Sequence, residues 1–379
     1  MSSHHFERLA RLTGVIVVLA FFYYTLHYIK TQSLSYSSAA SPKHSVHYQP
    51  ANANDTLLRA AIVALVRNSE IDGIRSTIRQ VDDRFNREFG YPYILLNDED
   101  FTDEFKTRVQ AVTKATIQFG KLPASHWGLS PYVAEDKVKA ALAHNNGRYL
   151  YGGSYSYRLM CRYQSGFIHK HPLLAHLDYY WRIEPGVDYY CNLPYDPFRF
   201  MRDNNLIYGF TITPTEIEPT VESLWDVTRK WMLENPELLP EKSFIQWTVD
   251  KKSKYTMCHF WSNFEIVDLS FYRSAAYESY FQHLDRAGGF FYERWGDAPV
   301  HSIAASMLLH KEQVHWFEDI GYHHPGYTHC PNKPEMQRNC ICRTGKEFMY
   351  TGKCSRRLET VKNIDKSQAL KLARLPDLV

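Results

Sequence analysis

The sequence predicts an α/β fold: one domain built on a mixed, largely parallel central sheet. Three observations at its start predict this. LRAAIVALVRN, Leu58 to Asn68, carries a compact apolar run of strand length. EIDGIRSTIRQVDDRFNREF then sets Ile71, Ile74, Ile78, Val81 and Phe85 at helical spacing. YPYILLND follows as a second buried strand. A strand–helix–strand opening with polar residues just past the first strand places a ligand beyond the carboxyl ends of parallel strands.

The later chain continues the mixture. DYYWRIEPGVDYYC, Asp178 to Cys191, reads as a strand running to Glu184 and broken by Pro185 and Gly186. LIYGFTI reads as a strand, TVESLWDVTRKWMLEN as a helix, VHSIAASMLL as a short helix and QVHWFED as a strand. There is no G-x-G-x-x-G and no Walker A loop, so dinucleotide binding and ATPase chemistry lose their main support.

Among 379 residues, 44% are hydrophobic and 22% charged, an ordinary globular balance. The net charge of +3 is not concentrated in any long Lys/Arg run, which argues against nucleic acid as a partner. Aromatic residues reach 15%, with 27 Tyr; most fill a core, and some suit a sugar pocket, where an apolar face and a hydroxyl are both useful.

The first thirty residues bear on compartment. After Arg8 and Arg11, Leu12 to Ile29 runs 18 residues without a formal charge and ends at Lys30, long enough for a thin bilayer at ~1.5 Å per residue. A cleaved signal peptide would have a shorter apolar core and a small-x-small site. The arginines on the N-terminal side predict a type II membrane protein: cytosolic tail 1–11, signal-anchor 12–29, flexible stem 30–57, lumenal domain 58–354 and tail 355–379. Asn54-Asp55-Thr56 is a glycosylation acceptor sequence at the end of the stem. All seven cysteines fall on the lumenal side. Four crowd between Cys330 and Cys354 without a C-x-x-C pair, which favours disulfides over zinc and leaves one thiol over.

Polar clusters stand among the aromatics: RLMCRYQSGFIHKHPLL, YYWRIEPGVD, CHFWSNFEI, FFYERWGDAPVHS and DIGYHHPGY. Glu184 ends a strand, where a carboxylate caps a turn or binds a cation. Glu265 lies between aromatic neighbours, where burial raises a carboxyl pKa unless a cation opposes it. Asp297 is a helix N-cap or a site residue. One of the neighbouring His323 and His324 is a candidate metal ligand.

In order and with long shared words, these clusters resemble the motif set of the fungal Kre2/Mnt1-type α-1,2-mannosyltransferases, glycosyltransferase family 15, from about Leu58 to Cys354. The resemblance implies a GT-A-like catalytic domain in the Golgi membrane. It implies transfer of mannose from GDP-mannose to a mannose hydroxyl of N- or O-linked glycans, with retention and with Mn²⁺. By resemblance, Glu184 of the Glu-Pro-Gly element and His323 hold the metal, and Asp188 has a doubtful share. Glu265 is then the nucleophile or the stabiliser of positive charge at the anomeric carbon. Arg67, Asn68, Tyr157 and Arg158 fall to the donor, while Arg162 serves either the site or the fold. Asp297, Trp261 and Trp295 fall to the acceptor or its sugar. Two carboxylates among aromatics also suit a retaining mannoside hydrolase, and the aromatic lining suits a membrane-tethered mannose-binding protein without turnover.

Overall fold

The computed structural model describes residues 56–342 and 348–363. The expected anchor Leu12–Ile29, nearly all of the stem, Asn54, and the tail beyond residue 363 lie outside the described residues.

A seven-stranded sheet runs in the order β3-β2-β1-β4-β7-β6-β8. Its strands are β1 Ala60–Leu65, β2 Tyr93–Asn97, β3 Ile117–Lys121, β4 Tyr179–Arg182, β6 Tyr208–Phe210, β7 Glu265–Asp268 and β8 Val314–Trp316. All pairings are parallel except those of β7 with β4 and β6. The fold is therefore α/β with a mixed, mostly parallel sheet. The parallel half follows from the sequence: β2 is buried at every residue and β1 at all but its last, as strands covered on both faces must be. Their crossovers contain the helices α1 Ile71–Val81 and α2 Asp103–Gln110. The helical pattern expected through Phe85 ends earlier. α1 stops at Val81 and a wider π turn takes Asp82–Asn86, so that Asp82 accepts from the Tyr93 hydroxyl and Phe85 packs on Trp181.

β4 ends at Arg182, two residues before Glu184. Glu184, Pro185 and Gly186 form a turn, with Gly186 at φ +77°, a left-handed conformation that glycine adopts at no steric cost. α1 holds this turn. Thr77 Oγ1 donates to the carbonyls of Glu184 (3.0 Å) and Val187 (3.3 Å). A Cβ at Gly73 would lie 3.1 Å from Pro185 Cβ, so a side chain there would push the turn away from the helix.

A second, antiparallel sheet joins β5 Asp188–Tyr189, β9 Tyr322–His324 and β10 Tyr327–His329. It brings a segment some 135 residues downstream against the end of β4. Disulfides Cys191–Cys340 and Cys330–Cys342 flank this sheet, and Cys258–Cys354 closes a third loop. The expectation of disulfides rather than zinc is met. Cys161 is the thiol left over, buried in the core, where desolvation pushes its pKa up.

Candidate active site

A cleft crosses the carboxyl ends of β2, β1 and β4, lined by Asp98 after β2, Arg67 after β1, and Arg182 and Glu184 at β4. Tyr157 and Gln164 line it from α3, Tyr155–Gly166, which Ser154 caps by accepting from the Tyr157 N–H. This is the switch-point position that parallel sheets offer to ligands.

Glu184 stands at the wall of the cleft with its side chain 26% exposed. Arg182 Nη2 donates to its Oε1 at 2.6 Å, and its Oε2 lies 3.4 Å from His324 Nε2. Burial by itself would raise this carboxyl. The Arg182 guanidinium and His324 outweigh it and hold the pKa below the usual carboxylate value. Arg182, 4% exposed, also donates to Asp297 Oδ2 at 2.5 Å, and Ser262 Oγ donates to the same oxygen at 2.7 Å. Desolvation opposes the charge on this guanidinium, but Asp297, Glu184 and Glu265 around it raise its pKa well above the ordinary value. Asp297 is likewise buried, which would raise it, and is held low chiefly by Arg182.

His323 and His324 are separated by the pleat. Successive side chains of a strand point to opposite faces. In β9 this sends His324 to Glu184 and against Trp261 (4.5 Å between ring centroids), and His323 to Thr328 Oγ1 at 2.8 Å. His324, and not the expected His323, therefore stands beside Glu184. Two ligands at ~2.1 Å from one ion and at a right angle sit about 3 Å apart. The Glu184 oxygen and His324 nitrogen fit that separation, and oxygen and imidazole donors suit Mn²⁺.

Glu265 has a different setting. It opens β7 opposite Arg182, in register, and is 0% exposed. Tyr180 donates to its Oε1; Tyr208 (2.7 Å) and Tyr272 (3.3 Å) donate to Oε2, and His301 Nδ1 lies 3.0 Å from the same oxygen. Burial would raise this carboxyl, but His301, Arg182 and Tyr180 lower it below the ordinary value. Glu265 does not line the cleft. The Glu265 carboxylate is enclosed on every side, because three tyrosines from β4, β6 and the turn after β7 converge on it.

The glycolipid 2-alpha-mannosyltransferase family model matches residues 25–363. The chain is 46% identical over 318 residues to glycolipid 2-alpha-mannosyltransferase 1 of Candida albicans, covering 82% of this chain and 73% of that one. Among solved structures it is similar to the mannosyltransferase Ktr4p of S. cerevisiae in complex with GDP (TM-score 0.79, 36% identity, 87% and 88% of the two chains). It is also similar to core-mannan synthase A of Aspergillus fumigatus in its Mn/GDP form (TM-score 0.74, 41% identity, 85% and 90%).

The chain belongs to this family. It is an α-1,2-mannosyltransferase, and its fold is that of the Ktr4p relative.

Within this mannosyltransferase the other expected residues divide. Arg67 and Tyr157 line the cleft. Asn68 does not: its amide donates to the Asp100 carbonyl (3.0 Å) and accepts from the Thr102 N–H (3.1 Å), stapling two loops. Arg158 is fully buried, does not line the cleft and donates to the carbonyls of Phe291, Tyr151, Ser154 and Glu293. Arg162 pairs with Asp285 through two bonds, at 2.7 and 2.8 Å, and so serves the fold.

Trp295 is buried against Phe290, with Nε1 donating to Glu293 at 2.8 Å, and offers no surface to a sugar. Trp261 is half-buried beside His324 and Tyr327, next to the Glu184–His324 pair. Asp297 is neither an N-cap nor free for an acceptor. Gly296 is the N-cap of α4, Asp297–Leu308, and the Asp297 carboxylate is taken by Arg182 and Ser262. Asp188 accepts from Gln80 at 3.0 Å and belongs to the support of the turn.

The sequence assigned no role to Arg182, Gln164, Asp98, His301 and the three tyrosines. The spacing of Asp297 and His301, four apart on one helix face, was the one visible signal for His301. Nothing local marks which three of 27 tyrosines meet.

Proposed function

We propose that this α-1,2-mannosyltransferase moves mannose from GDP-mannose to a hydroxyl of a mannose-bearing glycan on glycoproteins, N-linked, O-linked or both, with retention and with Mn²⁺. The observation that carries this reading is the Glu184–His324 pair at the wall of a cleft that crosses three strand ends. GDP in one relative and Mn with GDP in another support the donor and the metal.

Glu184 and His324 would hold the metal, while Arg182 fixes Glu184 by donating to Oε1. When bound, Mn²⁺ supplies the positive charge that a departing diphosphate needs. So small a set of protein ligands leaves room in the metal's shell for phosphate and water. The nucleoside takes the Asp98–Arg67 end of the cleft, and Trp261 offers its ring to a sugar.

The enclosure of Glu265 supports front-face transfer over a covalent sugar–carboxylate. The acceptor oxygen bonds to the anomeric carbon on the face from which the diphosphate departs, and the hydroxyl proton passes to the leaving phosphate oxygen. Glu265 then acts by its charge and by holding β4, β6 and α4 in place.

The charge-free apolar stretch Leu12–Ile29 in the sequence and the three disulfides support a type II Golgi membrane enzyme with a lumenal catalytic domain, since disulfides persist in oxidising compartments.

The test is to incubate the purified enzyme with GDP-mannose, an α-mannoside and Mn²⁺, with and without chelator, and to analyse the product linkage. Transfer in α-1,2 linkage that chelation abolishes is expected. Metal-independent release of mannose from a glycan would favour a hydrolase, and binding without either reaction would favour a mannose-binding protein.

A further inference from the structure

Gln164 closes the last turn of α3. It is 3% exposed and belongs to the residues that line the cleft with Arg182 and Glu184. Among the described residues its Oε1 has no hydrogen-bond partner. Buried acceptors are nearly always satisfied, because hydration lost on folding is otherwise not recovered. An unsatisfied acceptor beside a binding cleft is a group that a ligand hydroxyl can satisfy.

The same residue is held from behind. Its backbone carbonyl lies 3.2 Å from His301 Nε2. A carbonyl only accepts, so Nε2 is the donor of this bond. His301 Nδ1 in turn faces Glu265 Oε2 at 3.0 Å and the Tyr272 hydroxyl at 2.9 Å. The enclosed carboxylate thus reaches the cleft through one imidazole and the end of one helix, and that end presents Gln164.

Position and chemistry decide what the amide takes. Strands lie ~4.8 Å apart, so Asp98 after β2 and the Arg182–Glu184 pair at β4 are separated by about 10 Å across the sheet. A nucleoside diphosphate sugar whose diphosphate meets Glu184 and His324 lays its nucleoside toward β1 and β2. Its sugar lies on the β4 side, where Arg182 stands in register with Glu265. A phosphate oxygen has no proton to give to Oε1. A sugar hydroxyl has one, and also accepts from the amide nitrogen.

We propose that Gln164 is a further residue of the transfer site: its side-chain amide binds a hydroxyl of the donor's sugar, and His301, backed by Glu265, is the positioning residue that fixes the helix end presenting it. This rests on the reading of GDP-mannose as donor.

The test uses Gln164→Met in the full chain, which keeps the volume and removes the hydrogen bonds. GDP affinity in the presence of Mn²⁺, measured by calorimetry, is expected to stay within about two-fold of wild type, while kcat/KM for GDP-mannose falls about 30-fold. GDP-mannose analogues lacking one sugar hydroxyl at a time locate the contact. One of them is expected to be a poor donor for the wild type and no poorer for the variant, the non-additivity of a direct contact.

Additive losses for every analogue, kcat/KM within about three-fold of wild type, or equal weakening of GDP and GDP-mannose each overturn the proposal. Should Gln164→Met fail to fold, as read by its urea midpoint, Gln164→Asn, which withdraws the amide by one methylene, takes its place with the same expected outcomes. A wild type that binds GDP but neither binds nor uses GDP-mannose sinks the donor assignment itself, and this inference with it.

Discussion

Glu184 and Glu265 flank the same guanidinium, and their surroundings make them different groups. Arg182 pairs with Glu184 at 2.6 Å and stands opposite Glu265 across the β4–β7 ladder. Glu184 is 26% exposed at the cleft wall and keeps one oxygen toward His324. Glu265 is 0% exposed and surrounded by three tyrosine hydroxyls and His301. A carboxylate that is to exchange ligands needs an unspent oxygen and a path to solvent. One whose oxygens already collect four donors is a fixed charge. Residue type and aromatic context, which made Glu265 the stronger catalytic candidate in the sequence, measure burial and not access.

The contrast is open to breakage at several points. The largest expected effect is on Glu184→Gln: transfer falls by at least about 1000-fold, and Mn²⁺ no longer raises GDP affinity in calorimetry. If that variant retains normal Mn²⁺-dependent activity, the cleft-wall carboxylate is not the metal ligand.

Next comes Glu265→Ala, which leaves four buried donors without an acceptor and costs about 3 kcal/mol of stability, read as a lower midpoint in urea. Mass spectrometry of wild type turning over GDP-mannose is expected to find no mannosyl adduct on Glu265. A trapped adduct, or an inactive variant with wild-type stability, would make Glu265 a chemical participant after all.

Acid should probe all three carboxylates together. Glu184, Asp297 and Glu265 have folded pKa values below their ordinary ones, so the unfolded chain binds protons first as pH falls. Their contribution is present in full above the ordinary carboxylate range, about pH 4, and is lost as pH drops through the depressed values. Thermal midpoints of the metal-free enzyme should therefore fall steeply below about pH 4, and less steeply in Glu265→Gln. Identical acid profiles would separate the enclosed carboxylate from the network.

The smallest effect is expected from the tryptophans. Trp261→Ala raises the KM for acceptor or donor sugar about tenfold with little loss of stability, whereas Trp295→Ala lowers stability and spares KM. The opposite pattern would place the sugar on the buried side.

The parallel half of the sheet was legible because runs such as AAIVAL and YILLN bury both faces and admit few alternatives. Glu184 was legible because Pro185 and Gly186 announce a turn at a strand end. His324 was not: the sequence offers two adjacent histidines, and the choice depends on the register of β9 against β5, where Asp188 sits opposite His323. A slip of one residue would exchange them. Arg158, Asn68 and Trp295 looked like ligand groups because their types bind ligands. Each is instead spent on carbonyls, loop backbone or a neighbouring carboxylate that no local pattern reveals.

By itself, then, the sequence determined the strand–helix alternation, the Glu-Pro-Gly turn at a strand end, the odd thiol count and the kinship with a family of α-1,2-mannosyltransferases. These rest on short-range physics, periodic burial and turn stereochemistry, or on long shared words. The tertiary structure alone decided which carboxylate stays open, which histidine meets it and that Gln164 faces the cleft unsatisfied. Those outcomes depend on contacts between residues as far apart as Gln164 and His301 or Glu184 and His324, and burial and hydrogen-bond satisfaction arise only once such distant groups are packed together.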